Sequence, residues 1–233
     1  MKNILFIVNN GKISPNENGG ASVYYSRLEL LYKAGYRITL VSVQWGEKDI
    51  YNEDYLSEVK FMIYKVVPHK IYLQLPLKGV KRLFDAIFYP EVFEYYFLND
   101  SNKNYLQNLI ISEHINLVWA EWRWAGLLAW YANLKAPVIY AHHDWEYKLA
   151  KLRKSRSFLE KFHTLQKKRV EYKLVKSVAG CISGSQTETL EIEKLASKKA
   201  LYIPTTYHNN TIELEVNKQP NIIHLGGMGT TAN

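Results

Sequence analysis

"VIYAHHDWEYK", residues 138 to 148, runs from an apolar stretch into two histidines and two acids, then into a basic segment. A buried strand has no use for that polarity at its end, whereas a binding site does. A neutral histidine donates to or accepts from a hydroxyl, which suits His143 to a hydroxyl-rich ligand such as a sugar. Asp144 stands beside it. Asp144 and Glu146 fall where a helix should begin, and acids there stabilise the helix dipole. His142, His143 and Asp144 are consecutive, so their side chains diverge along a strand. Neither HExxH spacing nor a cysteine cluster accompanies them, which argues against a tight metal site. A Ser-His-Asp hydrolase needs a strained nucleophile turn of the GxSxG kind, and "CISGSQ", residues 181 to 186, does not match it.

A second chemical signal is "SPNENGGASVYYSRL", residues 14 to 28, which follows an apolar run and opens a helix. Gly19 and Gly20 can take backbone conformations closed to other residues and let main-chain N–H groups approach a ligand. At a helix N-terminus those groups favour an anion or a hydroxyl-rich partner. No GxGxxG is present, so this is not the dinucleotide fingerprint.

The elements that must carry these groups alternate. "NILFIVNN", residues 3 to 10, reads as a strand buried on both faces. In "ASVYYSRLELLYKAGY", Val23, Leu28, Leu31 and Ala34 have helical spacing, and Gly35 closes the helix. Strands are expected at 37–43 and at 59–67, the latter stopping at Pro68. Residues 69–110 are less regular and suggest a helical pair broken at Pro90. A strand at 115–122, the helix "AGLLAWYANLK" and the strand "APVIYAHH" follow. Residues 145–176 read as one long helix, with Leu149, Leu152, Leu159, Phe162, Leu165 and Leu174 on one side. Then come the strand "VAGCISGS", the helix "SQTETLEIEKLA", and the strands "KALYIPTT" and "NIIHLGGMG". The alternation implies an α/β fold, a Rossmann-like parallel sheet with helices on both faces. Ligands of such sheets sit outside the carboxyl ends of the strands. That singles out Asn9, Asn10, Glu121, His142 to Asp144, Ser183, Gly226 and Gly227.

With 233 residues and a 47% hydrophobic fraction, the chain can bury a full core. Cys181 is the only cysteine, which excludes an internal disulfide and favours a reducing compartment. No stretch approaches the roughly 18 to 20 apolar residues of a membrane span, and the start lacks a signal-peptide pattern. The expected setting is cytoplasmic. The net charge of +8 is concentrated: residues 148–176 hold 11 Lys or Arg against two Glu, and the remainder sums to −1. Such a segment suits phosphates or anionic lipid headgroups. It carries no nucleic-acid-binding motif, which argues against nucleic acid as a partner.

In order, these segments resemble the N-terminal half of retaining GT-B glycosyltransferases, especially family 4. "ILFIVNN…NGGASVYYSRLELLYKAGYRITLVSV" is similar to that family's opening strand, Gly-Gly loop, helix and second strand. "INLVWAEW" resembles its strand ending at the acceptor cleft. "APVIYAHHDWEYKLAKLR" resembles its proline-led strand with His-Asp/Asn-x-Glu, and "VAGCISGSQTETL" and "LYIPTTY" resemble its closing elements. "NIIHLGGMGTTAN" is similar to the first strand and turn of the family's donor domain. The resemblance implies an acceptor-side domain at 1–218 and the beginning of a donor domain at 219–233. It also implies transfer of a sugar from a nucleotide-sugar co-substrate to a saccharide or lipid-linked acceptor, with no other cofactor and no metal. His143 would touch the transferred sugar or acceptor. Gly19, Gly20, Glu121, Asp144 and Ser183 would line the substrate site, and Gly226 and Gly227 would meet the donor phosphates. The rest of the donor half is not in these residues, so the chain alone is expected to be inactive. The alternative is a non-catalytic carbohydrate- or partner-binding module of the same fold. Residues 148–176 would draw the domain to the anionic inner face of the membrane.

Overall fold

A computed structural model describes residues 2–9, 13–16, 19–45, 59–71, 98–152 and 157–204. The expected helical pair around Pro90, Asn10, Gly226, Gly227 and all of 219–233 lie outside the described residues. Within them, seven parallel strands form one sheet. In chain order the elements are β1 (Asn3–Asn9), α1 (Gly19–Lys33), β2 (Arg37–Trp45) and β3 (Lys65–Ile71). Then come α2 (Asp100–Ser112), β4 (Leu117–Glu121), α3 (Trp122–Tyr131), β5 (Val138–His142) and α4 (Glu146–Lys151). The last are α5 (Phe158–Ser177), β6 (Gly180–Ser183), α6 (Gln186–Ala196) and β7 (Ala200–Tyr202).

The strand order is β3-β2-β1-β4-β5-β6-β7. The chain therefore winds one way from β1 to β3 and the other way from β4 to β7. Between β1 and β4 the crossover helices leave in opposite directions, which opens a crevice at the carboxyl ends. β1 explains why its sequence is continuously apolar. Ile4, Phe6 and Val8 face a core formed with Tyr24, Leu28 and Leu31 of α1. Leu5 and Ile7 face the opposite core, with α2, α3 and α5. All five are fully buried. Each contributes about 1.5 to 3 kcal/mol by leaving water.

α1 ends as expected. Gly35 takes φ +81, and Tyr36 N donates to Leu31 O at 3.2 Å. A left-handed glycine returns the chain to the sheet without steric cost. The third strand differs from expectation. Lys60–Met62 is a turn of 3-10 helix, and the strand begins at Lys65 and passes through Pro68. β3 lies at the sheet's edge, where a residue lacking an N–H removes no interior ladder bond.

The single helix expected over 145–176 is two. α4 stops at Lys151, and α5 starts afresh behind Ser157. Ser157 Oγ accepts from Glu160 N while the Glu160 carboxylate accepts from Ser157 N. This reciprocal capping box is an independent helix start, and it overrides the continuing apolar pattern.

Candidate functional site

Three elements converge at the carboxyl edge of β4 and β5, beside the crevice. β4 ends in Glu121, which is fully buried. Its Oε1 accepts the indole N–H of Trp119 at 2.7 Å. Its Oε2 accepts from Nη1 of Arg27 in α1 at 2.5 Å and lies 2.8 Å from Nε2 of His143. Burial by itself would raise the Glu121 carboxyl. Arg27, His143 and Trp119 outweigh it and hold the group below the usual carboxylate range. Glu121 is therefore an anion at neutral pH. An anionic acceptor calls for a proton on His143 Nε2, and in the neutral ring Nδ1 is then an acceptor. Arg27 Nη1 approaches the same Nε2 to 3.3 Å, as a second donor sharing Oε2.

His143 follows the last residue of β5, and its side chain is 22% exposed. The rings of Tyr24 and Trp122 flank it, with centroids at 6.0 and 6.5 Å. Burial chiefly, and then the Glu121 charge, push the Tyr24 phenol well above its ordinary range while Arg27 opposes them, so Tyr24 stays neutral. Trp122 takes φ +66 at the junction of β4 and α3. That conformation is costly for a bulky residue, and the junction holds it between Glu121 and the first turn of α3. The arrangement offers a hydroxyl a hydrogen-bonding ring nitrogen at His143, beside two aromatic rings and over a buried compensated charge.

The other expected site residues are placed as follows. Gly19 and Gly20 are exposed and form the first two residues of α1. Tyr24 and Arg27 of that helix, ~6 and ~10 Å further along its axis, reach the cluster. Gly19 does not have a positive φ, and a Cβ built there meets nothing within 4 Å. Its backbone therefore does not require glycine. Asp144 is exposed, and no hydrogen bond or ion pair joins it to another described residue. The N-cap position before α4 is held by Trp145, not by an acid. Ser183 is fully buried, and its Oγ accepts from Ser185 N at 3.2 Å, an inward turn. His142 is 1% exposed, packs on Trp145 with ring centroids 4.5 Å apart, and has Nε2 3.2 Å from Glu188 Oε2. Of the two histidines, His143 is the one that borders the crevice.

Arg27, Tyr24 and Trp119 were not among the expected site residues. A signal for Arg27 exists in the sequence. It lies four residues after Val23 and four before Leu31, on the apolar stripe of the helix, where a charge must be paired. Trp119 precedes Glu121 by two, so both point to one face of the strand.

No family model matches the chain, and no curated protein matches it in sequence. Solved structures do match it in three dimensions. Sucrose-phosphate synthase from Thermosynechococcus elongatus aligns with TM-score 0.53 and 15% identity, over 88% of this chain and 48% of that one. Arabidopsis thaliana UGT89C1 complexed with UDP-L-rhamnose aligns with TM-score 0.54 and 10% identity, over 94% and 55%. Apo UGT2 of Phytolacca americana gives 0.53 and 10%, over 90% and 53%. The chain spans about half the length of each of the three. At these identities the likeness is one of fold: the described sheet and helices form a Rossmann-like α/β domain like those of GT-B glycosyltransferases.

Proposed function

We propose that this chain is the acceptor-side part of a glycosyltransferase that moves a sugar from a nucleotide-sugar to a saccharide or lipid-linked acceptor. The observation that carries the reading is the cluster of Arg27, Glu121 and His143. It lies at the carboxyl edge of the sheet, beside a helix opened by Gly19 and Gly20. Two of the structures of like fold are named for sugar chemistry or hold UDP-L-rhamnose. In transfer, the bond from the sugar carbon to the diphosphate breaks through an oxocarbenium-like state, and the acceptor oxygen bonds to that carbon. The hydroxyl proton leaves with the departing phosphate when configuration is retained. His143 Nδ1 accepts from a hydroxyl of the sugar or acceptor and so orients it. The carboxylate of Glu121 holds the ring in place for that contact. Gly19 and Gly20 flank the donor phosphates and the acceptor, and Gly226 and Gly227, from outside the described residues, are assigned to the donor phosphates.

The test is titration of the chain with UDP-sugars and a panel of oligosaccharides while the His143 ring resonances are followed. A saturable shift is expected, and in His143→Ala the neighbouring Trp122 indole, followed in the same way, should no longer respond. A panel that leaves the ring unmoved overturns the reading.

The lipid-linked version of the acceptor has its own support. Along α5, Phe158, Lys161, Leu165, Arg169, Lys173 and Lys176 form one exposed face, with Phe158 85% and Leu165 59% exposed. Cations interleaved with exposed apolar side chains suit an anionic bilayer surface. No described helix is long and apolar enough to cross a membrane.

A further inference from the structure

Under the cluster of Arg27, Glu121 and His143, a second set of charges joins the same two turns. Arg123 stands two residues after Glu121, and Glu146 three residues after His143. Their side chains form an ion pair, Nη2 to Oε2. Glu171 of α5 completes the set from below. Its Oε1 accepts Glu146 N at 2.9 Å and lies 3.9 Å from Arg123 Nη1. Its Oε2 accepts Tyr147 N at 3.3 Å. Arg123 is 1% exposed and Glu171 3%.

Charges at that depth are costly to bury, so their presence calls for a reason. A six-residue helix such as α4 is too short to hold itself. Its first amides need acceptors. A serine or aspartate at position 145 could supply one locally, but Trp145 stands there and provides no side-chain cap. The acceptor comes instead from a distant helix. The β5–α4 turn is therefore held from outside itself by Glu171 and Arg123, beside the packing of its own buried Trp145 on His142 and Tyr172.

We propose that Glu171, with Arg123, is a positioning residue: it clamps the β5–α4 turn so that His143 Nε2 stays within hydrogen-bond reach of Glu121. The purpose of that positioning rests on the reading of His143 as the group that meets substrate, whereas the clamp itself does not. The two layers cooperate. Glu121 to His143 ties the turns above, and Arg123 to Glu146 ties them below. Loss of the lower tie leaves the first amides of α4 without their acceptors, so the upper tie and the packing of Trp145 on His142 and Tyr172 must hold the ring on a looser turn.

The experiment reads the His143 ring directly in the full chain. Its Nε2–H proton and 15N shift are assigned by comparison with His143→Gln. In Glu171→Ala the proton is expected to exchange about tenfold faster and the 15N shift to move, with partial rescue in Glu171→Gln. The control is Ser157→Ala, which weakens the cap of α5 and should leave the ring signal in place. A folded Glu171→Ala with an unchanged His143 signal overturns the proposal, as does an equal change in Ser157→Ala. If Glu171→Ala does not fold, Glu146→Gln loosens Arg123 while keeping both backbone caps and is read the same way. A ring that responds to these variants while no sugar binds upholds the clamp and sinks only the functional reading.

Discussion

At the scale of single residues, the site depends on compensated charge in a dry place. Arg27 and Glu121 are 7% and 0% exposed, and each is tolerable only because the other is present. Glu121→Gln leaves the guanidinium buried without its anion, so we expect a loss of ~3 to 5 kcal/mol in urea unfolding. Replacing both, as Arg27→Met with Glu121→Leu, should cost less than the two singles summed. A second prediction concerns pH. Burial pushes the Glu171 carboxyl up to about 7, against Arg123 and two backbone amides that pull it down. The unfolded chain gives up this proton first, near the ordinary value of 4.5. Between those two pH values the folded state binds the extra proton, so this group's contribution to stability falls as pH rises. Glu171→Gln removes the titration. Its stability relative to the parent should climb through that window and level off above it, and a flat difference would refute the assignment. His143 and Glu121 were legible as polar groups at strand ends, because polarity there has no packing value. Arg27 was not read, because a lone arginine in a helix ordinarily lies on its solvent face. Its place on the apolar stripe between Val23 and Leu31 was the one sequence sign that it does not, and its partner Glu121 shows why.

At the scale of elements, two glycines make opposite predictions. A Cβ at Gly126 would meet Tyr140 Cδ2 at 2.8 Å and Leu174 Cδ2 at 3.1 Å. Tyr140 is fully buried between α3 and the sheet and cannot swing away. Gly126→Ala should therefore cost ~1 to 3 kcal/mol, measured by thermal or urea unfolding, by forcing α3 off β5. Gly19→Ala meets open space and should change stability by less than ~0.5 kcal/mol. If Gly19 leaves room for a ligand, that same variant weakens sugar binding while the fold is untouched. The split between α4 and α5 shows why periodicity alone misread residues 145–176. Apolar spacing continues across the break, whereas Ser157, Phe158, Leu159 and Glu160 spell the S-x-x-E signature of a new start. Ser157→Ala should lower stability by ~1 kcal/mol.

At the scale of the whole molecule, charge and topology act together. The exposed face of α5 predicts binding to vesicles containing anionic lipid that weakens as salt rises, because the attraction is screened within ~10 Å at ordinary ionic strength. Co-sedimentation that is equal with neutral and anionic vesicles would dismiss this surface. The sequence by itself determined the alternation of strands and helices, the glycine stop after α1 and the polar strand ends. These follow from local rules: a doubly buried strand must be apolar throughout, and Gly35 alone accepts φ +81 cheaply. Tertiary structure decided which polar ends meet. The reversal of winding makes β1 and β4 neighbours, and so lets Arg27 of α1 meet Glu121 at the end of β4 across 94 residues of chain. It decided that Ser183 turns inward and that a carboxylate from α5 caps α4. Partners so distant in sequence leave no periodicity to read. Their pairing is enforced by the cost of burying a charge alone, a cost that exists only once the chain has closed around it.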